Sequence, residues 1–218
     1  MPARPLVHAA NLRDVRLAWP TAAVLLALTL AAGCGGDDGS AGAAGTTNGS
    51  PFAGAELTPP RQAGDFSLRD QDGKLVSLSA QRGKIVLLTF LYTRCPDVCP
   101  LIAGNLNGTL RDLSPEERAS VRVLAVSVDP EHDTPAAVRA YARRHHLLPQ
   151  FRYLIGTKQE LEGVWKEYGV AAVARDPELV DHTALTLVVD REGLGRVLFD
   201  ASVQARDVTH DVRLLLAS

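Results

Sequence analysis

Short apolar runs alternate with amphipathic segments through the central part of the chain, and this pattern predicts strands and helices in turn. Residues 85–91 (IVLLTFL) and 121–128 (VRVLAVSV) are almost wholly apolar, as expected for strands buried on both faces of a sheet. A third strand is predicted at residues 151–155 (FRYLI). Amphipathic segments predict four helices, at residues 101–113, 134–145, 157–168 and 203–216.

Two pairs of strands are expected to form hairpins. Residues 65–68 and 74–78 flank Asp72-Gly73, a dipeptide that favours a tight turn between antiparallel strands. Residues 184–189 and 195–199 flank a second polar turn near the end of the chain. Strands that alternate with helices and end in an antiparallel hairpin predict an α/β fold. We expect a mixed sheet flanked by helices on both faces, with an N-terminal β-hairpin.

The first 33 residues have the order of a secretory signal peptide. Arginines precede an apolar run at residues 22–32 (AAVLLALTLAA), and Gly33 follows it. The run is shorter than the roughly 20 apolar residues that a membrane-spanning helix needs. An uncleaved anchor helix that starts near Leu17 is the alternative, although Pro20 weakens it.

The end of this segment, LAAGC at residues 30–34, resembles a bacterial lipoprotein signal, although Ala31 stands where leucine is usual. The resemblance implies that Cys34 becomes the lipidated first residue of the mature chain. Residues 34–58 are rich in Gly, Ser, Ala and Asp and predict a flexible tether. Residues 59–218 are then the folded domain. We expect this domain to be lipid-anchored at the extracytoplasmic face of the cell membrane.

Composition and charge narrow the classes of partner. The chain has 23 Lys and Arg against 25 Asp and Glu, a formal net charge of −2, without the clustered basic residues that nucleic acid binding requires. Its three cysteines are too few for a disulfide-stapled scaffold. Two of them, Cys95 and Cys99, lie close together among prolines that indicate a loop. This favours a chemical site over a pair of buried structural thiols.

The two cysteines occur in the segment TFLYTRCPDVCP at residues 89–100. A buried strand leads into them and a helix follows, so the helix N-terminus favours thiolate over thiol. A step of four residues also returns to the same face of a helix, which would bring the two sulfurs together. The spacing C-x-x-x-C differs from the C-x-x-C of thioredoxin-type reductases. Two thiolates alone could bind Cu(I) or Zn(II), or form a disulfide.

This cysteine segment, together with VDHT at residues 180–183, resembles the Sco/SenC family of copper chaperones. Residues 128–134 (VDPEHDT) resemble the second signature of that family. The resemblance covers about residues 59–216 and implies a thioredoxin-like fold and a role in maturing the binuclear copper site, CuA, of cytochrome c oxidase. It further implies that Cys95, Cys99 and His182 bind copper, as Cu(I), Cu(II) or both, with Asp129 near the site.

The residues themselves agree with a copper site. His182 lies in a predicted polar turn, Asp181-His182-Thr183, directly before an apolar strand, so we expect it at a sheet end rather than in the core. Two sulfurs and one imidazole favour copper over Mg²⁺ or Ca²⁺, and structural zinc prefers four protein ligands. Asp129 has an alternative interpretation as a turn or cap residue. We expect His132 and His210 to face solvent without binding metal.

Three functions remain open from the sequence. The first is a metallochaperone that passes copper to the apo copper-binding subunit of cytochrome c oxidase or to another copper protein. The second is a thiol–disulfide oxidoreductase, with Cys95 and Cys99 as the redox-active pair, that reduces the copper-ligating cysteines of a partner. A peroxide reductase is suggested by the fold alone, which does not decide function. His182 separates the first two, because only metal transfer requires it.

Overall fold

The structure is a computed structural model that describes residues 49–174 and 180–218, with the backbone only for residues 173, 174 and 180–182. The described strands are Ala55–Gln62 (β1), Ser67–Asp70 (β2), Leu75–Ser77 (β3), Ile85–Leu91 (β4), Val121–Ser127 (β5), Phe151–Ile155 (β6), Ala172–Ala174 (β7), Val180–His182 (β8), Thr186–Val189 (β9) and Leu194–Phe199 (β10). The described α-helices are Val98–Asp112 (α1), Pro115–Ala119 (α2), Pro135–Arg144 (α3), Lys158–Glu167 (α4) and Ala205–Ala217 (α5).

Eight of the strands form one mixed sheet in the order β1-β10-β9-β4-β5-β6-β2-β3. The central pairs β4–β5 and β5–β6 are parallel, and the pairs on either side of them are antiparallel. The chain between the parallel strands forms helices, because a parallel crossover must travel the length of the sheet. The predicted α/β fold and its N-terminal hairpin, β2–β3, are confirmed. Strands β7 and β8 pair with each other in a separate two-stranded sheet.

The centre of the core is the pair β4–β5. All seven residues of β4 are buried, and in β5 only Arg122 is partly exposed, which confirms that both strands are covered on two faces. They pair in register from Ile85 opposite Val121 to Leu91 opposite Ser127. Because parallel strands end at the same edge of a sheet, the segments that follow Leu91 and Ser127 emerge side by side. Those segments carry the cysteines and the DPEHDT sequence.

Side-chain caps set the helix starts. Thr134 accepts a hydrogen bond from the Ala137 N–H, and Thr157 forms a capping box with Glu160, so α3 and α4 begin where the threonines predict. Helix α1 begins earlier than predicted, at Val98 rather than at residue 101. Asp97 caps it, because its carboxylate accepts the Val98 N–H at 2.6 Å. Cys99 therefore lies in the first helical turn and not in a loop.

The sheet also begins before the expected start of the domain. Residues 55–58, which the sequence pattern assigns to the tether, are the first half of β1, and Ala55 and Glu56 pair with Leu198 and Val197 of β10. Just upstream, the buried carboxylate of Asp211 accepts the N–H groups of Ala53 at 2.7 Å and Gly54 at 3.0 Å. These contacts come from the far end of the chain, so the local composition gives no sign of them.

None of the helices in residues 49–174 and 180–218 is long and apolar enough to cross a membrane. The predicted signal peptide at residues 1–33, the lipidation site Cys34 and most of the predicted tether lie outside the described residues.

Candidate functional site

Cys95 lies in the connection between β4 and α1, and Cys99 lies in the first turn of α1. The chain leaves β4 at Leu91 and turns back at once, with the Cys95 N–H donating to the carbonyl of Tyr92 at 3.3 Å. It then enters α1, where the Cys99 N–H donates to the Cys95 Sγ at 3.2 Å. Cys95 is 9% exposed and Cys99 fully buried. The structure thus brings the two predicted thiols together, with Cys95 on the outer side and Cys99 beneath it.

The two thiols differ strongly in acidity. The hydrogen bond from the Cys99 thiol lowers the pKa of Cys95 to about 6, and the N–H groups of Cys99 and Asp97 act in the same direction against the effect of burial. The same hydrogen bond, together with burial, raises the pKa of Cys99 well above its ordinary value. At neutral pH Cys95 is therefore a thiolate and Cys99 a thiol. A soft metal ion that binds both sulfurs must displace the Cys99 proton.

The buried carboxylate of Asp133 holds the cysteine loop in place through hydrogen bonds to Thr93. Its carboxylate accepts the Thr93 N–H at 2.9 Å and the Thr93 hydroxyl at 2.6 Å. It also accepts hydrogen bonds from the hydroxyls of Ser127 at 2.6 Å and Tyr153 at 3.1 Å. Burial raises the pKa of Asp133, and the hydrogen bonds from Ser127 and Thr93 oppose that effect. One carboxylate thus joins the residues just before Cys95 to β5 and β6.

Asp133 is a site residue that the sequence does not predict. It is one of several polar residues before the Thr134 cap, and no local sequence feature indicates that it is buried, with 3% of its surface exposed. Its position could have indicated a role: it lies in the DPEHDT segment after β5, and β5 is parallel to β4, the strand that leads to the cysteines.

Asp129, predicted near the site, reaches the cysteine loop through Arg94. Its buried carboxylate pairs with Arg94 at 3.3 Å and with the His132 Nδ1 at 2.8 Å. Its carbonyl also accepts the N–H groups of His132 and Asp133, so it shapes a turn as the alternative interpretation expects. His132 is therefore not a purely solvent-facing residue, because its ring is partly covered and bonded to Asp129. His210 is exposed, as expected, with Nε2 at 3.0 Å from the carbonyl oxygen of Pro51.

His182 is the last residue of β8, opposite Ala172 in β7, so its backbone is in a strand and not in the polar turn that the sequence predicts. Strand β9, which follows shortly, runs antiparallel to β4 with Thr186 opposite Thr89. The chain that enters β9 therefore comes from the edge of the sheet at which the cysteine loop emerges. The Thr89 hydroxyl donates to the carbonyl of Leu185 at 2.9 Å at this edge.

The side chain of His182 lies outside the described residues, so its position relative to the sulfurs stays a prediction. Among the side chains that are described, no group of three or more His, Cys, Asp and Glu is arranged to hold a metal ion. The described donor set consists of two sulfurs, which suit a soft ion such as Cu(I) and need a further donor to complete a three-ligand site.

A cleft of about 620 Å³ gives access to Cys95. One wall is the cysteine loop, with Arg94 and the flanking prolines Pro96 and Pro100, and the other is helix α3, with Tyr141 and Arg144. Cys95 lines this cleft and Cys99 is not among its lining residues. A partner that approaches the site through the cleft therefore meets Cys95 first.

Comparison with protein families gives a match to the SCO1/SenC family model over residues 54–217. The SCO2-like protein of Rickettsia felis is 29% identical over 136 residues, which are 60% of this chain and 65% of the relative. The mitochondrial SCO2 homolog of Bos taurus is 33% identical over 161 residues, 71% of this chain and 60% of the relative. The chain thus spans less than two thirds of the length of these curated relatives.

Matches to solved structures with the same architecture span nearly the whole of each solved chain. Bradyrhizobium japonicum ScoI with copper bound is 33% identical, with a TM-score of 0.63 over 71% of this chain and 99% of that one. Apo Sco1 from Thermus thermophilus is 37% identical, with a TM-score of 0.66 over 75% and 96% of the two chains. These likenesses confirm the thioredoxin-like arrangement of the mixed sheet and its helices.

Proposed function

This chain belongs to the SCO1/SenC family, and from that premise we propose that it is a copper chaperone that binds one copper ion with Cys95, Cys99 and His182. The recipient that we propose is the copper-binding subunit of apo cytochrome c oxidase, at its CuA site. The solved relatives ScoI from Bradyrhizobium japonicum and from Arabidopsis thaliana, 33% and 28% identical, contain copper, which supports the choice of ion.

The observation that carries the proposal is the pairing of the two sulfurs at the start of α1. The Cys95 Sγ accepts hydrogen bonds from the Cys99 N–H at 3.2 Å and from the Cys99 thiol, so the two sulfurs are adjacent before any ion arrives. Thiolate ligands select soft ions such as Cu(I). Such an arrangement binds with little loss of conformational entropy, because the ligands are already in place.

The difference in burial suggests an order of ligand exchange. Cys95 lines the open cleft, whereas Cys99 is fully buried. A ligand from the recipient can reach the ion on the Cys95 side while Cys99 still holds it. Transfer then proceeds by replacement of one ligand at a time, and no free ion is released.

The proposed location follows from Cys34. With its sulfur acylated as the first residue of the mature chain, the domain would be held at the extracytoplasmic face of the cell membrane. More than one acyl chain is needed for stable anchoring. The mass of the mature protein, extracted with detergent, tests this directly: a Cys34→Ser variant should lack the lipid mass and leave the membrane fraction.

The decisive test of the metal site is a Cu(I) titration under anaerobic conditions with a competing chelator. We expect the wild type to bind one ion, with affinity strongly reduced in His182→Ala. His210→Ala is the matched control, because His210 is exposed on α5 and plays no part in the proposed site. Equal copper uptake by the wild type and His182→Ala would contradict the three-ligand assignment.

The acidity of Cys95 also favours a second candidate, thiol–disulfide exchange. The Cys95 thiolate would attack a disulfide of the partner and form a mixed disulfide, releasing one partner thiolate. Cys99, once deprotonated, would then displace the second partner sulfur and leave a Cys95–Cys99 disulfide. Reduction of a model disulfide should survive His182→Ala, whereas copper binding should not, and the two readouts on one variant separate the candidates.

A further inference from the structure

Basic side chains outnumber negative groups in the cleft beside Cys95, since the Cys95 thiolate is the one negative group among its described lining residues. Arg94 and Arg144 line it from opposite walls. Arg94 shares its charge with the buried Asp129 at 3.3 Å, but within residues 49–174 and 180–218 no salt bridge to Arg144 is formed. The third basic side chain of the cleft, His145, packs on Tyr141 with ring centroids 4.2 Å apart.

The charge of His145 is disfavoured in this cleft. Burial and the neighbouring Arg144 lower the pKa of its imidazole, which favours the neutral ring. Apart from the Cys95 thiolate, none of the described residues that line the cleft is acidic. Arg144 is therefore the group that a ligand in this cleft would have to satisfy, with the apolar surface of Ala137, Ala140 and Tyr141 beneath it.

We propose that this cleft docks an acidic segment of the recipient protein, with an Asp or Glu side chain on Arg144 and a cysteine beside Cys95. The inference rests on the proposed function, since it describes how that partner is recognised. A carboxylate is the matching group, because a guanidinium binds it with two parallel hydrogen bonds. The apolar surface of the cleft suits the backbone and apolar side chains of an extended peptide. The contact between the carboxylate and Arg144 would chiefly set the rate of encounter and the choice of partner.

The test measures how fast Cys95 of the copper-free full chain reacts with two peptides that differ only in charge. Each peptide carries one cysteine as a mixed disulfide with 2-thiopyridine, flanked by Glu in one peptide and by Gln in the other. The Cys95 thiolate attacks the peptide sulfur, a Cys95–peptide disulfide forms, and the 2-thiopyridine leaves and takes a proton. Its absorbance gives the rate, after subtraction of the rate of Cys95→Ser, which accounts for the other thiols.

We expect the Glu peptide to react about threefold faster than the Gln peptide, the size of effect typical of an exposed ion pair. Arg144→Gln should reduce this ratio to about one, as should about 0.5 M NaCl, which shortens the screening length to a few ångströms. Arg143→Gln is the matched control. Arg143 is the preceding residue on α3, is exposed and does not line the cleft. Its replacement changes the net charge by the same amount as Arg144→Gln and should preserve the ratio of the two peptide rates.

Two results would overturn the inference. Equal rates for both peptides with the wild type would remove the charge preference itself. An equal loss of preference in Arg143→Gln and Arg144→Gln would assign it to the overall charge of the surface. Failure of the proposed function is distinguishable, because it shows in the Cu(I) titration of the wild type, whereas failure here leaves copper binding by Arg144→Gln at one ion.

Discussion

Cys95 and Cys99 follow β4, which pairs with β5 over seven residues and with β9 over four, whereas His182 ends β8, whose register covers three residues of β7. The thiols are thus supported by the centre of the core, and the backbone of the histidine by a short two-stranded sheet. Two-stranded pairs are marginally stable by themselves in water. The comparison teaches that the sulfurs are preorganised by folding, and that under the proposed three-ligand site copper binding would have to help place the imidazole.

The strongest test of this contrast compares the loss of a thiol with the loss of the imidazole. Cys99→Ser should abolish Cu(I) binding, because the remaining sulfur and imidazole cannot form the soft two-sulfur site. His182→Ala should leave weaker but measurable binding, since both sulfurs stay in place. Competition titrations with a Cu(I) chelator give both affinities. Equal affinities for the two variants would break the contrast.

The support beneath the thiols can be removed separately. Asp133→Ala leaves the Thr93 N–H, the Ser127 hydroxyl and the Tyr153 hydroxyl without their acceptor, so we expect a loss of about 3 kcal/mol in the free energy of unfolding. Urea denaturation of the copper-free chain measures it. Glu131→Ala, an exposed acidic residue of the same loop, should change stability by less than about 0.5 kcal/mol. A similar small change for Asp133→Ala would show that the loop does not depend on this carboxylate.

The low pKa of Cys95 predicts how its rate of alkylation depends on pH, and this tests whether the two sulfurs are in contact before copper binds. Because the folded pKa is lowered to about 6, the thiolate fraction rises with pH through 6 and the rate of alkylation by iodoacetamide should level off above about pH 7. Cys99→Ala removes the hydrogen bond from the thiol, so the midpoint should move upward by about one pH unit or more. Mass spectrometry of the Cys95 peptide follows the reaction. A midpoint near 8.5 in the wild type, the value of an unperturbed thiol, would contradict the arrangement.

The smallest effect on stability is expected for the partly exposed ion pair between Arg94 and Asp129. Arg94 pairs with Asp129, but its side chain is 34% exposed and His132 remains as a second partner of the carboxylate. Arg94→Gln should therefore cost about 0.5 kcal/mol or less in the free energy of unfolding. Thermal unfolding compares it with Arg213→Gln, which breaks the exposed pair with Glu117. A loss in Arg94→Gln as large as that of Asp133→Ala would move the main support of the loop from Asp133 to Asp129.

The elements that the sequence predicts well are those with a strong local signal. β4 and β5 are uninterrupted apolar runs, and α3 and α4 start at threonine caps, so pattern and structure agree closely there. The proximity of Cys95 and Cys99 was also predicted from their four-residue spacing. Cys95 precedes α1, however, and meets Cys99 through the N–H of the first helical turn and not along one helix face.

The remaining features depend on contacts between distant parts of the chain. β1 pairs with β10, about 140 residues later, and is too polar to indicate burial by itself. β7 and β8 have only three residues each, too few for a periodic pattern. Asp133 is buried because Thr93, Ser127 and Tyr153 from three different strands or loops converge on it, and such convergence has no counterpart in local sequence.

Asp133 also sets a limit on how this protein can be redesigned. It holds Thr93 and directly precedes Thr134, the cap of α3, so the cysteine loop and the helix with Arg144 share one attachment point. An engineer who wishes to transplant the thiols into another scaffold would have to move residues 85–155 as one block, because Tyr153 of β6 also donates to Asp133. Recognition could then be varied at the far end of α3, but the turn at residues 127–134 would have to stay unaltered.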